Sequence, residues 1–197
     1  MIQISPKRIR GEWASGYALD MHTLSSECIG YNEYGHAQFD TKRSEMGELL
    51  YRLKYKSDRS VLKIIIDAVV EFVKSKDWQV DVLIPVPPSS TTRSFQPVLS
   101  IAKGVSKLLL LRLCQDCVVK VKEMPELKNV YELDKRMELL KDAYAVVRRE
   151  VVDRKILLFD DLYRSGATLN AITQALKQKG KVKDVYVLTL TMTRRIR

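Results

Sequence analysis

Residues 156–168 read ILLFDDLYRSGAT, and the fold turns on this stretch. Ile156, Leu157, Leu158 and Phe159 form a short continuous apolar run, which fits a strand buried on both faces. Asp160 and Asp161 follow at once, then the loop residues LYRSGAT, then a helical pattern from Leu169 to Lys179. A buried strand with a carboxylate pair at its C-terminal end and a small-residue loop opening a helix has the makings of a sugar-phosphate site. Loop amides and a helix N-terminus hold a phosphate. Two carboxylates accept hydrogen bonds from neighbouring ribose hydroxyls. The plainer reading is a strand-turn-helix corner with a solvated acid pair.

Working outward, Val82, Leu83 and Ile84 predict a second central strand, stopped by Pro85, Pro87 and Pro88. Between the two strands the sequence predicts a long helix over Arg93 to Leu113, a strand over Cys117 to Val121 and a short strand over Ala143 to Val147. Met124 to Arg136 is polar and basic and reads as a mobile loop running into a helix. A final strand covers Val185 to Thr191. Upstream, Met46, Leu49, Leu50 and Leu53 mark a helix over Arg43 to Tyr55. Arg59 to Lys74 is another, capped by Asp58. Strands alternate with helices from Val80 onward. The expected fold class is therefore α/β, a doubly wound, mainly parallel sheet with ligands gathered at its carboxyl edge.

Gly11 to Phe39 mixes aromatic and β-branched residues with Gly and Asn, and reads as a small antiparallel flap apart from the main sheet. The expected division is a flap over 1–42 and one α/β domain over 43–197. Asp20 and His22 would share a strand face there, as a proton-transfer pair, a metal half-site or an ordinary surface hydrogen bond. The chain has 197 residues, 46% hydrophobic and 29% charged, within the range of soluble globular domains. No run approaches a membrane span and the start lacks an apolar signal core, so a cytoplasmic location is expected. The net charge of +10 favours polyanions, whether a phosphorylated sugar or nucleic acid. Cys28, Cys114 and Cys117 are too few and odd in number for a disulfide framework. The Cys114-x-x-Cys117 pair offers two soft ligands where a structural zinc needs about four. Reduced cysteines are expected.

The stretch Asp160-Asp161-Leu162-Tyr163-Arg164-Ser165-Gly166-Ala167-Thr168 resembles the phosphoribosyl-pyrophosphate (PRPP) loop of type I phosphoribosyltransferases, with Arg164 in place of a small hydroxyl residue. LLYRLKY, IPVPP, Arg93-Ser94-Phe95-Gln96, ELDKR, DAYAV and FDDLYRSGATL occur in the order seen in the ComF-like branch, over roughly Glu48 to Thr193. The zinc ribbon that usually begins that branch has no counterpart here. The resemblance implies a Mg-dependent displacement of pyrophosphate from PRPP by a nitrogen nucleophile, with a homodimer usual among relatives.

In that reading Asp160 and Asp161 bind the ribose hydroxyls beside the reacting ring. Arg164, Ser165, Gly166, Ala167 and Thr168 wrap the 5-phosphate. Pro87, Pro88 and Ser89 form a pyrophosphate loop, with Arg93, Lys128 and Arg136 as basic groups toward pyrophosphate and Lys54 as a further cation. Magnesium is bridged by substrate oxygens, with Asp160 and Asp161 reaching it through water. The acceptor is not legible. Two other readings stay open: a non-catalytic PRPP or nucleotide sensor, and a nucleic-acid handling factor, for which no motif speaks.

Overall fold

The computed structural model describes residues 2–88, 95–122, 140 and 142–193. In chain order the elements are β1 (Lys7–Arg8), β2 (Ser15–Met21), β3 (Thr23–Tyr31), β4 (Ala37–Arg43), α1 (Glu45–Tyr55), α2 (Leu62–Lys74), β5 (Val82–Pro85), α3 (Pro97–Leu109), β6 (Arg112–Leu113), β7 (Val118–Lys120), β8 (Tyr144–Val146), β9 (Lys155–Tyr163), α4 (Ala167–Gln178) and β10 (Asp184–Met192). Six strands make the central sheet in the order β1-β2-β10-β9-β5-β6. Only β1 runs antiparallel to its neighbour; the other pairings are parallel. The fold is α/β with a mainly parallel sheet, as the alternation of patterns implies.

The sheet is buried because β9 is apolar on both faces. Ile156, Leu157, Leu158 and Phe159 are all inaccessible to solvent. Successive side chains alternate faces, so Leu157 and Phe159 pack with α1, α2 and α3 through Leu50, Leu53, Ile65, Val69, Ile101 and Val105. Ile156 and Leu158 pack on the other side with Leu169, Ile172 and Leu176 of α4, with Ile9 and Trp13 of the N-terminal segment, and with Val118 and Tyr144. Burying each such aliphatic side chain contributes about 1.5–3 kcal/mol.

Helix ends follow local chemistry. Ser44 caps α1, its hydroxyl accepting from Gly47 N at 3.0 Å. Asp58 accepts from Ser60 N at the short 3-10 turn that leads into α2. Among the described residues α3 starts at Pro97, not at Phe95 or Gln96 within the expected helix, because a proline fits the first helical turn and not its interior. At its other end Leu110 turns left-handed, and Arg112–Leu113, read from sequence as helix, becomes β6 beside β5.

Two strand expectations change. Ser15–Met21 is part of the main sheet, parallel to β10 from Ser15↔Tyr186 to Met21↔Met192, so the flap does not begin at Gly11. Within the expected flap, β3 and β4 alone form a separate antiparallel ribbon. The strands near Cys117 and Ala143 exist, but β7 and β8 pair antiparallel with each other and stay out of the main sheet. The cysteine expectation is also overturned. Cys114 and Cys117 are disulfide-bonded at the β6–β7 corner, where the bend at the intervening residues brings their Cα atoms to 5.5 Å. Cys28 is free and exposed.

Candidate functional site

The parallel strands set the site. From β5 the chain moves through α3 to β6 on one side, then returns to β9 on the other. Strand order therefore reverses between β5 and β9, and the crevice at their carboxyl ends is where open α/β sheets bind ligands. Asp160 and Asp161 stand on the β9 side of that crevice. Pro87 and Pro88 leave β5 on the opposite side, anchored by Val86 N donating to Phe159 O at 2.8 Å. Ser89, Arg93, Lys128 and Arg136 lie outside the described residues.

The acid pair is inside the strand and not beyond it. Pairing with β10 continues through Thr189↔Asp160 to Met192↔Tyr163. Adjacent strand residues point to opposite faces, and the two carboxylates accordingly meet different surroundings. Asp161 lies on the α1 side, where Lys54 Nζ donates to its Oδ2 at 2.7 Å. Both side chains are mostly buried, 18% and 14% exposed. Asp160 lies on the α4 side, beside Tyr144, whose hydroxyl shares a hydrogen bond with Thr168. Its Oδ1 accepts Asp161 N at 2.8 Å. Burial and then the neighbouring Asp161 charge push the Asp160 carboxyl up to about 8, against the pull of that N–H and of Lys54. Asp160 nonetheless stays partly accessible to solvent.

The loop after β9 is a tight turn. Gly166 is left-handed at φ +81° and forms the N-cap of α4. A Cβ there would come within 2.8 Å of the Tyr163 ring, so this glycine is required by the ring packed against it as well as by its backbone angle. Tyr163 is in turn held edge-on against Trp13. Ser165 Oγ accepts Ala167 N at 3.4 Å. The N–H groups of Ala167, Thr168 and Leu169 have no intrahelical acceptor, as in any first helical turn, and favour an anion together with the helix dipole. Asn170 N bonds back to Gly166 O, while Asn170 Oδ1 accepts Glu12 N at 2.8 Å, tying the N-terminal segment to the start of α4. Arg164 is exposed.

Asp20 and His22 do not act as a pair. β2 ends at Met21 and His22 sits in the bend before β3, so the shared strand face is lost. Asp20 is buried, accepts Met21 N, and meets Ser5 and Ser44. Burial raises its carboxyl above the usual range. His22 instead joins the site. Its Nδ1 lies 3.2 Å from Thr191 Oγ1, and that hydroxyl donates to Asp161 O at 3.2 Å. With its proton directed to Asp161, Thr191 receives the Nδ1 proton of His22, leaving the imidazole lone pair on Nε2. Burial, then Arg43 and Lys54, lower the His22 pKa, so the ring is neutral at pH 7. Tyr144 lies in the DAYAV stretch, yet nothing in that stretch points it toward Asp160, and Thr191 carries no motif; the β7–β8 ribbon and the sheet register bring both to the site.

No protein-family model and no curated protein matches the sequence. Among solved structures, the glutamine PRPP amidotransferase from B. subtilis, complexed with ADP and GMP, is similar at 18% identity and a TM-score of 0.49, over 81% of this chain and 34% of that one. This chain thus spans about a third of that enzyme's length. Adenine phosphoribosyltransferase from Leishmania tarentolae is similar at 9% identity and a TM-score of 0.48, over 95% and 94% of the two chains. A hypothetical protein from Neisseria gonorrhoeae with bound ppGpp is similar at 16% identity and a TM-score of 0.44, over 68% of each chain. Likeness this remote assigns neither family nor activity. Among the described residues no helix is long and apolar enough to cross a membrane.

Proposed function

We propose that this chain is a phosphoribosyltransferase of the type I kind, binding PRPP at the β9–α4 corner and displacing pyrophosphate with a nitrogen nucleophile. One observation carries the reading. Two carboxylates in contrasting electrostatic states stand at the topological switch point, and a left-handed glycine opens a helix N-terminus six residues beyond Asp160. The ordered motifs of the sequence, which resemble the ComF-like branch, point the same way.

In this reading the 5-phosphate sits on the first-turn N–H groups of α4, within reach of the Ser165 and Thr168 hydroxyls. Asp160 and Asp161 accept from the ribose hydroxyls. As pyrophosphate departs, positive charge grows on the ribose ring, and the two carboxylates stabilise it most in that state. Lys54 fixes the Asp161 rotamer, so no reorganisation is needed during the reaction. The segment from Pro87 onward borders the departing pyrophosphate.

The donor set suits magnesium. Asp160 and Asp161 offer only hard oxygens, and an incoming cation would return the Asp160 carboxyl to its ionised form. Bound there through water, magnesium would supply charge neutralisation for pyrophosphate. His22 offers a neutral imidazole near the Asp161 backbone, suited to receiving a proton from an incoming amine.

The test is release of pyrophosphate from PRPP and Mg, screened over ammonia, glutamine and nucleobases. Turnover with one acceptor is expected, and loss of that turnover in Asp160→Asn with fold retained. Saturable PRPP binding without release under any acceptor assigns a sensing module instead. No PRPP binding overturns the reading.

A further inference from the structure

Away from the crevice, the Cys114-Gln115-Asp116-Cys117 corner holds a cluster that the proposed reaction does not use. Cys114 and Cys117 are buried. The Glu150 carboxylate, from the 3-10 turn Arg149–Val151, reaches the same point in space. One ligand atom each from Cys114, Cys117 and Glu150 lie within 4.8 Å of one another. Asp116 adds a second carboxylate, its Oδ1 3.7 Å from Cys114 Sγ, and Glu150 Oε2 is 3.8 Å from the same sulfur.

Each carboxylate is held by an arginine. Arg112 pairs with Glu150 Oε1 at 2.6 Å, and Arg148 pairs with Asp116 Oδ2 at 2.5 Å. Both acids therefore spend one oxygen on a guanidinium and turn the other toward sulfur. A disulfide sulfur has no proton to donate and is itself electron-rich, so the carboxylates gain nothing from it in the oxidised form. The arrangement makes physical sense around a cation.

We propose that the reduced form of this corner is a zinc site, with Cys114, Cys117, Glu150 and Asp116 as ligands and Arg112 and Arg148 as the groups that orient the acids. The spacing of the two carboxylates from Cys114 fits. With Zn–S of about 2.3 Å and Zn–O of about 2.1 Å, a sulfur and an oxygen ligand of a tetrahedron stand about 3.6 Å apart, close to the 3.7 and 3.8 Å found for Asp116 and Glu150. Reduction frees the two bonded sulfurs to separate to the roughly 3.8 Å of two thiolates on one zinc. Charge fits as well: two thiolates, two carboxylates, one divalent zinc and two guanidinium groups sum to zero. Outer partners of this kind set ligand orientation and basicity.

The site is gated by redox state. A dithiol reductant supplies two electrons and two protons and leaves as its own disulfide; the S–S bond breaks to give two thiols. Zinc then displaces both thiol protons to solvent, so its affinity rises with pH. Cysteine count alone suggests too few ligands, because it tallies soft donors and misses two acids brought in by the fold. The metal would fasten the 3-10 turn Arg149–Val151 to the chain leaving β6 at the edge of the central sheet, a contact that spans 36 residues of sequence.

The test uses the full chain without a polyhistidine tag, reduced by a phosphine and titrated with cobalt(II) as the probe. One cobalt per chain is expected, with a thiolate-to-metal charge-transfer band that zinc abolishes. The same protein oxidised should show no band. Glu150→Gln or Asp116→Asn should weaken binding at least about ten-fold, and Arg148→Met by about 10- to 100-fold. Cys28→Ser should change nothing. Loss of affinity in either carboxylate variant supports the site. Reduced protein that shows no band, or a band that both carboxylate variants leave unchanged, overturns it. These readouts do not depend on PRPP.

Discussion

On the α1 side of the central sheet, Asp161 meets the Lys54 ammonium at 2.7 Å. On the α4 side, its chain neighbour Asp160 forms no ion pair among the described residues, and its carboxyl is pushed up to about 8 by burial and by Asp161 itself. Strand geometry alone produces the contrast, because consecutive side chains leave opposite faces. The lesson is that a two-residue acid motif on a strand is two sites. One carboxylate is pinned by a cation before any ligand arrives. The other is left poised to take a proton or a cation.

The contrast can be broken most severely from the Lys54 side. Lys54→Met leaves Asp161 as an uncompensated, mostly buried charge. We expect a loss of about 3 kcal/mol in urea unfolding at pH 7, with Lys54→Met combined with Asp161→Leu recovering most of it. A single variant as stable as wild type would mean that the pair is weak. Next in size is Gly166→Val. A left-handed φ together with the Tyr163 ring should cost about 2 kcal/mol, and Tyr163→Ala should relieve only the steric part. Equal stability of Gly166→Val and wild type would contradict the turn.

Asp160 sharpens the comparison through pH. Its folded value lies above the ordinary 3.8, so the folded state keeps a proton that the unfolded chain has released. This raised acid destabilises the fold progressively as pH rises from about 4 to about 8, then levels off. Asp160→Asn removes that dependence. It should unfold later than wild type at pH 9 by at least about 1.4 kcal/mol, the worth of one pKa unit, with the gap closing toward pH 4. A gap that is constant with pH would sink the assignment. The smallest effect is expected on the β3–β4 ribbon, where Phe39 is 58% exposed. Phe39→Ser should move stability by less than about 0.5 kcal/mol.

Much of the sheet is legible in the sequence. Ile156 to Phe159 is apolar without interruption, and such a run fits a strand covered on both sides. The carboxyl-edge placement of Asp160 and Asp161 follows from it. The strand's true end does not, because pairing with β10 carries it through the polar residues to Tyr163. A strand near Tyr17 and Leu19 is legible, but its place beside β10 in the main sheet is not, because Gly16 and Asp20 give it the look of a half-exposed flap strand although both faces are covered. Short strands such as Val118–Lys120 and Tyr144–Val146 look alike in sequence whichever sheet they join, so the separate ribbon was not readable. Lys54 appeared as one cation among many. Only the packing of α1 brings it, 107 residues away, onto Asp161. The sequence places His22 beside Asp20, and the structure gives it Thr191 instead.

The central claim is that the β9–α4 corner grips a sugar phosphate through both acids. Calorimetric titration of PRPP with Mg into wild type and into the Asp160→Asn, Asp161→Asn double variant tests it directly, with unfolding curves confirming that both are folded. Two charge-assisted hydrogen bonds at about 1.5 kcal/mol each predict about 100-fold weaker binding in the double variant. Unchanged affinity in a folded double variant would contradict the account.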